Sequence, residues 1–266
     1  MTQIELDPFF QALWQGRDPF EEVNKIEGEL FRHVKTRKTF RFEAEGRGFF
    51  CKIHRGVGWR EILKNLFQFK RPVLGAANEF DALRALHAAG IPTMTPAAFG
   101  RRGKNPARQE SFLITCELEN MISCEELAAS GVSPQLRRKL IARIAESAGR
   151  MHHIGINHCD CYICHYLADK NTLENDPAVY VIDLHRARQR KKVPYHYHIK
   201  DTAGLFFSSM DAGLSRRDRL RFMAVYRRFC PECCGMPHFW RDVERTARKL
   251  YIKEFGRIPA YQKDQK

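Results

Sequence analysis

The spacing of apolar residues changes character partway along this chain, and that change constrains its fold more than any single motif. Before about Leu118, "ELFRHV" and "TFRFEAEGRGFFCKIH" carry apolar side chains at alternate positions, with Gly46 and Gly48 between the two runs of the second segment. Period-two alternation puts successive side chains on opposite faces of a strand, so the region is expected to open with antiparallel strands and a hairpin. "SFLITCEL", apolar and β-prone, reads as a short buried strand. Two helical stretches lie among these strands. "WREILKNLFQF" has Trp59, Ile62, Leu63, Leu66 and Phe67 at helical spacing, flanked by Arg60, Lys64, Lys70 and Arg71; "NEFDALRALHAAG" aligns Phe80, Leu83 and Leu86 before a stop at Gly90 and Pro92. After "ELEN" the pattern is helical. Ser133 and Pro134 form an N-cap, and Leu136, Leu140, Ile144, Ala148 and Met151 repeat on one face until Gly155. A cysteine-histidine loop, a strand "AVYVID" and helices from about Lys200 to Tyr251 follow. The expected class is α+β, with a small antiparallel β-rich first lobe (1–118) and a larger helical second lobe (119–266), joined near Glu117 to Asn120.

A chain of 266 residues buries enough surface to fold without disulfide or metal. The start "MTQIELDPFF" lacks a basic segment and a long apolar core, and no run of 18 apolar residues exists, so a cytosolic location is expected. In a reducing compartment the nine cysteines are free thiols. Lysine and arginine number 45 against 31 acidic residues, a net charge of +14, which favours an anionic partner without choosing among phosphates, lipid headgroups, nucleic acid or an acidic protein.

The second half carries the order of parts that phosphoryl transfer requires. A long helix ends at "MHHIGINH", Asp160 stands second after His158, and the strand "VYVID" ends at Asp183, 23 residues on (183 − 160). Protein kinases use the first such carboxylate to orient and deprotonate the acceptor hydroxyl and the second to hold Mg²⁺ on the nucleotide phosphates. Asp160 fits the first role and Asp183 the second. Lys52, in "FFCKIH", stands where a kinase lysine grips the α and β phosphates, and Glu79 is the candidate carboxylate to hold it, with Glu61 as rival.

The strings "RPVLGAANEF", "INHCDCYICHYL", "VIDLHRAR", "FFSSMDAGLSRRDRLRF" and "PFFQALWQGRDPFEEV" resemble the lipopolysaccharide core heptose(I) kinase family of Gram-negative bacteria, over nearly the whole chain up to about Arg228. The resemblance implies a two-lobed protein-kinase-like fold and ATP-dependent phosphorylation of the first inner-core heptose at its 4-hydroxyl, with Asp160 as the catalytic aspartate. Where the family usually reads His-Arg-Asp, this chain has His158-Cys159-Asp160. His165 takes the place of the metal-binding asparagine of ordinary kinases. It is the second candidate ligand, although Mg²⁺ prefers oxygen and the ring could instead orient phosphate or pack. In place of a glycine-rich loop the chain has "VKTRKT", whose Lys35, Arg37 and Lys38 either contact phosphates or form a solvated turn. Glu117, at the join, is grouped with the nucleotide-binding residues. Asp201 either braces the catalytic loop or caps a helix, and His158 is a structural histidine of the loop.

Cys161-x-x-Cys164 and Cys230-x-x-Cys233 are the elements of a zinc site, but 66 residues part them (230 − 164), against about 15 to 20 in zinc ribbons. A zinc-dependent nucleic-acid-binding module is therefore a competing reading, as are a kinase for a keto-sugar acid, a small alcohol or a protein tyrosine, and an inactive kinase-like scaffold. The leading reading expects ATP, Mg²⁺, an inner-core heptose acceptor and no nucleic acid. It also expects an anionic inner-membrane surface, contacted by amphipathic helices at "WREILKNLFQF" and "FWRDVERTARKLYIKEF", and an acidic protein partner such as acyl carrier protein.

Overall fold

The computed structural model describes residues 2–34, 36–67 and 74–259. Contacts divide the chain into two compact units, Met1–Ala85 with Met94–Leu118, and Leu86–Thr93 with Glu119–Lys266.

The first unit is built on one antiparallel sheet of six strands in the order β1-β5-β6-β4-β3-β2. The strands are β1 (Thr2–Leu6), β2 (Glu29–Val34), β3 (Arg37–Ala44), β4 (Arg47–His54), β5 (Pro96–Arg102) and β6 (Glu110–Cys116). Glu45 and Gly46 both have positive φ, 47° and 72°, which closes β3 onto β4 in a two-residue turn with Ala44 opposite Arg47. Gly48 is not in that turn. It lies within β4, where a Cβ would collide with the Glu117 carboxylate. Helices α1 (Pro8–Leu13) and α2 (Pro19–Lys25) each start with proline, and Asp7 and Asp18 accept from the N–H of Phe10 and Phe20. They cover an aromatic core of Phe10, Trp14, Phe20, Phe40, Phe49 and Phe112. Each such ring, fully buried, contributes about 1.5–3 kcal/mol.

The "VKTRKT" turn is tighter than its composition suggests. Val34 pairs with Arg37, so Arg37 and Lys38 belong to β3, and Lys38 lies 4.6 Å from the Phe40 ring centre. Lys35, Lys70 and Arg71 lie outside the described residues. Helix α3 (Gly58–Phe67) buries only Ile62 of its apolar residues, while Trp59, Leu63, Leu66 and Phe67 are 55%, 48%, 54% and 83% exposed. Its periodic stripe thus faces away from the core. In α4 (Ala77–Ala88) the Phe80 ring stacks on Phe99 of β5 at 4.1 Å, fixing the helix that carries Glu79.

The second unit begins with β7 (Met121–Ser123), α5 (Cys124–Ser130) and the 20-residue α6 (Pro134–His153), capped by Ser133. Strands β8 (Ile156–Asn157), β9 (Tyr166–Asp169), β10 (Val179–Val181) and β11 (Arg188–Gln189) follow, β10-β9-β7 forming one small sheet and β11-β8 another. Helices α7 (Tyr195–Ser208), α8 (Arg216–Phe229), α9 (Pro231–Cys234) and α10 (Phe239–Phe255) complete it. Gly149 lets α6 approach α8, since a Cβ there would sit 3.1 Å from Phe229. The segment Leu86–Thr93, expected in the first lobe, clusters here because Pro92 accepts from the Val181 N–H and the Thr93 hydroxyl donates to the Val181 carbonyl at 2.6 Å.

Candidate active site

In the first unit Lys52 sits on β4, an inner strand flanked by β3 and β6, and its Nζ is 2.6 Å from Glu79 Oε1. The carboxylate side chain is 1% exposed and the lysine 16%. A charge so far from water persists only with a partner, and α4 supplies it from 27 residues along the chain. The rival, Glu61, lies on exposed α3 at 3.7 Å from Lys64. Both carboxylate oxygens of Glu117 accept from Arg41 Nε, at 2.8 and 3.0 Å, and its N–H donates to the Gly48 carbonyl.

In the second unit the segment His158–His165 is braced from below by α7. Asp201, buried mid-helix and therefore no N-cap, accepts from the backbone N–H of His158 at 2.6 Å and of Cys159 at 3.0 Å. Cys159 is held at φ 71°, a conformation costing about 1–3 kcal/mol for a residue with a Cβ. Gly204, one turn along α7, admits the Cys161 carbonyl, which a Cβ would meet at 2.5 Å. Burial pulls the Asp201 carboxyl upward, but the hydrogen bond and charge of His152, the His158 ring and the His158 N–H outweigh it and hold its pKa below the ordinary value. His158 is wholly buried and donates Nε2–H to the Ile182 carbonyl at 2.9 Å; burial, first of all, lowers its pKa and keeps the ring neutral.

Asp160 and Asp183 share His165 as neighbour. The ring donates Nδ1–H to the Asp160 carbonyl at 2.7 Å and sets Nε2 3.7 Å from Asp183 Oδ2. Burial opposes charge on this ring, but Cys164, the Asp160 carbonyl and Asp183 together raise its pKa to about 9. The ring thus touches the backbone of one aspartate and faces the side chain of the other. Asp183 itself is in the left-handed region, φ 58° and ψ 51°. That strained backbone starts the single turn Leu184–Arg186, which returns two side chains onto the carboxylates. His185 Nδ1 lies 2.6 Å from Asp183 Oδ1, and Arg186 Nη1 donates to both oxygens of Asp160 at 3.1 Å. Neither residue stands out by spacing in the sequence, although both lie in "VIDLHRAR".

The cysteine pairs do not assemble. Among the described residues the group able to approach one ion is His152, His198 and Cys230, with ligand atoms within 4.8 Å. The Tyr226 hydroxyl already joins that group, 2.6 Å from His152 Nδ1 and 2.9 Å from His198 Nδ1. Burial raises the Cys230 and Cys233 thiols to about 11 and about 12, and the Cys230 thiol donates to the Gly149 carbonyl at 3.5 Å. Elsewhere in the unit a cavity of about 840 Å³ is lined by Ile141, Leu205 and Phe222, with Arg216, Arg219 and Arg241. No helix among the described residues is long and apolar enough to cross a membrane.

This arrangement has relatives. The sequence model of the lipopolysaccharide kinase (Kdo/WaaP) family matches residues 21–226. A Pseudomonas aeruginosa protein named lipopolysaccharide core heptose(I) kinase WaaP is 45% identical over 263 residues, 95% of this chain and 97% of its own. The Escherichia coli protein of that name is 46% identical over 229 residues, 84% and 86% of the two chains. Among solved structures, WaaP in complex with acyl carrier protein superposes with a TM-score of 0.80 at 40% identity, covering 94% of this chain and 99% of that one. The α+β, kinase-like fold expected from the sequence is therefore the fold observed. With the model match and these identities extending over most of its length, the chain belongs to the lipopolysaccharide kinase (Kdo/WaaP) family.

Proposed function

We propose that this chain transfers the γ-phosphate of ATP to the 4-hydroxyl of the first heptose of the lipopolysaccharide inner core. The observation that carries this reading is the loop His158–His165, which holds Asp160 and Asp183 about one histidine in a chain whose relatives are named heptose(I) kinases. Asp160 accepts the hydroxyl proton. The hydroxyl oxygen forms a bond to the γ-phosphorus while the bond to the bridging oxygen breaks, its electron pair leaving with ADP. Lys52, fixed by Glu79, neutralises the α and β phosphates, with Arg37 and Lys38 as further charges on β3. Asp183 would hold Mg²⁺ through a carboxylate oxygen; a single carboxylate suits an ion that keeps waters and phosphate oxygens as its other ligands. Bound there, Mg²⁺ supplies positive charge to the phosphates. His165, with Nδ1 on the Asp160 carbonyl and Nε2 3.7 Å from Asp183 Oδ2, positions that carboxylate. The test is transfer of labelled γ-phosphate to heptose-containing lipopolysaccharide that lacks core phosphate. Label on the heptose supports the reading; label only on a keto-sugar acid, small alcohol or tyrosine acceptor replaces it.

Two partners belong to this reading. An acidic carrier protein bearing an acyl chain suits the cavity of Ile141, Leu205 and Phe222 with its arginines, and the solved relative is a complex with acyl carrier protein. The inner face of the inner membrane suits α3, whose outward Trp59, Leu63, Leu66 and Phe67 stand beside Arg60 and Lys64 on a chain of net charge +14. Replacing Leu63 and Phe67 together by serine is expected to weaken binding to anionic vesicles about tenfold or more, since each side chain contributes about 1.5–3 kcal/mol when buried. Co-sedimentation checks this, and equal binding by the variant removes α3 from the contact.

A further inference from the structure

Arg186 engages both oxygens of Asp160, the two atoms from which a base must work. Its Nη1 is 3.1 Å from each, and the carboxylate side chain is only 17% exposed whereas the guanidinium is 52% exposed. The arginine is held at that place by its backbone: Leu184 is fully buried, Ala187 N–H donates to the Leu184 carbonyl, and the left-handed Asp183 sets the turn. A carboxylate covered in this way is poorly available to a hydroxyl proton. A pair so open to water is also weak, so a competing anion can exchange for it.

We propose that Arg186 is a latch on Asp160 that a substrate oxyanion releases, a proposal that rests on the reading of Asp160 as the base. Before the substrates are assembled, Arg186 occupies the carboxylate and restrains it from activating water. When an oxyanion takes the guanidinium, both Asp160 oxygens are open and the acceptor hydroxyl is the proton donor beside them. Two sources of oxyanion fit: the carboxylate of the sugar acid adjoining the heptose, and the terminal phosphate of the nucleotide. In either case Arg186 binds substrate and positions the base, so specificity and restraint of futile hydrolysis come from one side chain. Lysine in its place would keep the charge but replace the planar guanidinium, whose Nη1 reaches both oxygens, with a compact ammonium on a different stem.

The test uses the full chain, with R186A and R186K beside wild type, and measures acceptor-free ATP hydrolysis together with KM and kcat for each substrate. R186A is expected to hydrolyse ATP about three to five times faster without acceptor, the range an exposed ion pair supports. A KM about tenfold higher for the acceptor alone identifies the sugar-acid carboxylate as the releasing anion, and the same rise for ATP alone identifies the phosphate. R186K should recover part of that KM. Unchanged hydrolysis with both KM values within twofold of wild type overturns the latch, as does a fall in kcat alone, which a structural role would produce. Wild type that labels no heptose acceptor defeats the underlying reading separately. The latch is then judged on acceptor-free hydrolysis, and equal rates in R186A and wild type, zero included, overturn it.

Discussion

Asp160→Asn is expected to lower phosphate transfer about 10²–10⁴-fold, the range of a general base, with the melting midpoint unchanged. The fold should tolerate the change because, among the described residues, the side-chain oxygens accept hydrogen bonds from exposed Arg186, a contact of little energetic weight. What organises the loop is the Asp160 backbone, whose carbonyl accepts from the Tyr162 N–H and His165 Nδ1. The measurement is single-turnover transfer of labelled phosphate at saturating ATP, paired with a thermal melt. A variant that keeps wild-type turnover would remove Asp160 from the chemistry, and one that melts early would make the kinetics uninterpretable as catalysis.

Asp201→Ala is expected to cost about 3–5 kcal/mol in urea unfolding at neutral pH, because it strands buried donors that share a charged acceptor. The donors are the N–H groups of His158 and Cys159, with His152 beside them at 3.2 Å. Transfer should fall as well, since the same two N–H groups set the loop that presents Asp160. The pH dependence has a definite sign. The folded carboxyl is held below its ordinary pKa, so its contribution is complete above the unfolded value and is lost as pH falls through the folded one. The stability gap between wild type and Asp201→Ala should therefore narrow on acidification below the ordinary carboxylate range; a gap constant with pH would mean that the carboxylate is not the acceptor.

Much of the framework is legible in the sequence because it follows from period and order. Alternation marks β2, β3 and β4, the Ser133-Pro134 cap marks the start of α6, and Lys52 and Glu79 are recognisable from their elements before their 2.6 Å contact is seen. What the sequence leaves open has local causes. Periodicity reports that α3 is two-faced but not which face the protein covers; the structure buries Ile62 and leaves Trp59 and Phe67 exposed. The "VKTRKT" segment has the composition of a loop, yet pairing of Val34 with Arg37 draws Arg37 and Lys38 into a strand. The ion pair of Glu117 with Arg41, 76 residues away, leaves no mark in the spacing of either residue. The contacts of Arg186 and His185 are not legible in the sequence because their reach depends on one left-handed residue, Asp183, a backbone state that neither spacing nor residue type announces.

The short segment Leu86–Thr93 has a consequence for how this protein is made. It leaves the ribosome ahead of β5 and β6, which the first unit needs, but its own partner Val181 lies 88 residues beyond Thr93. At about 5–20 residues per second, some 4–18 s of synthesis separate the two. Through that interval the hydrogen bonds of Pro92 and Thr93 to Val181 cannot form. The nascent chain thus carries, from the last turn of α4 toward β5, an eight-residue stretch whose hydrogen bonds to Val181 are closed only once β10 has been made.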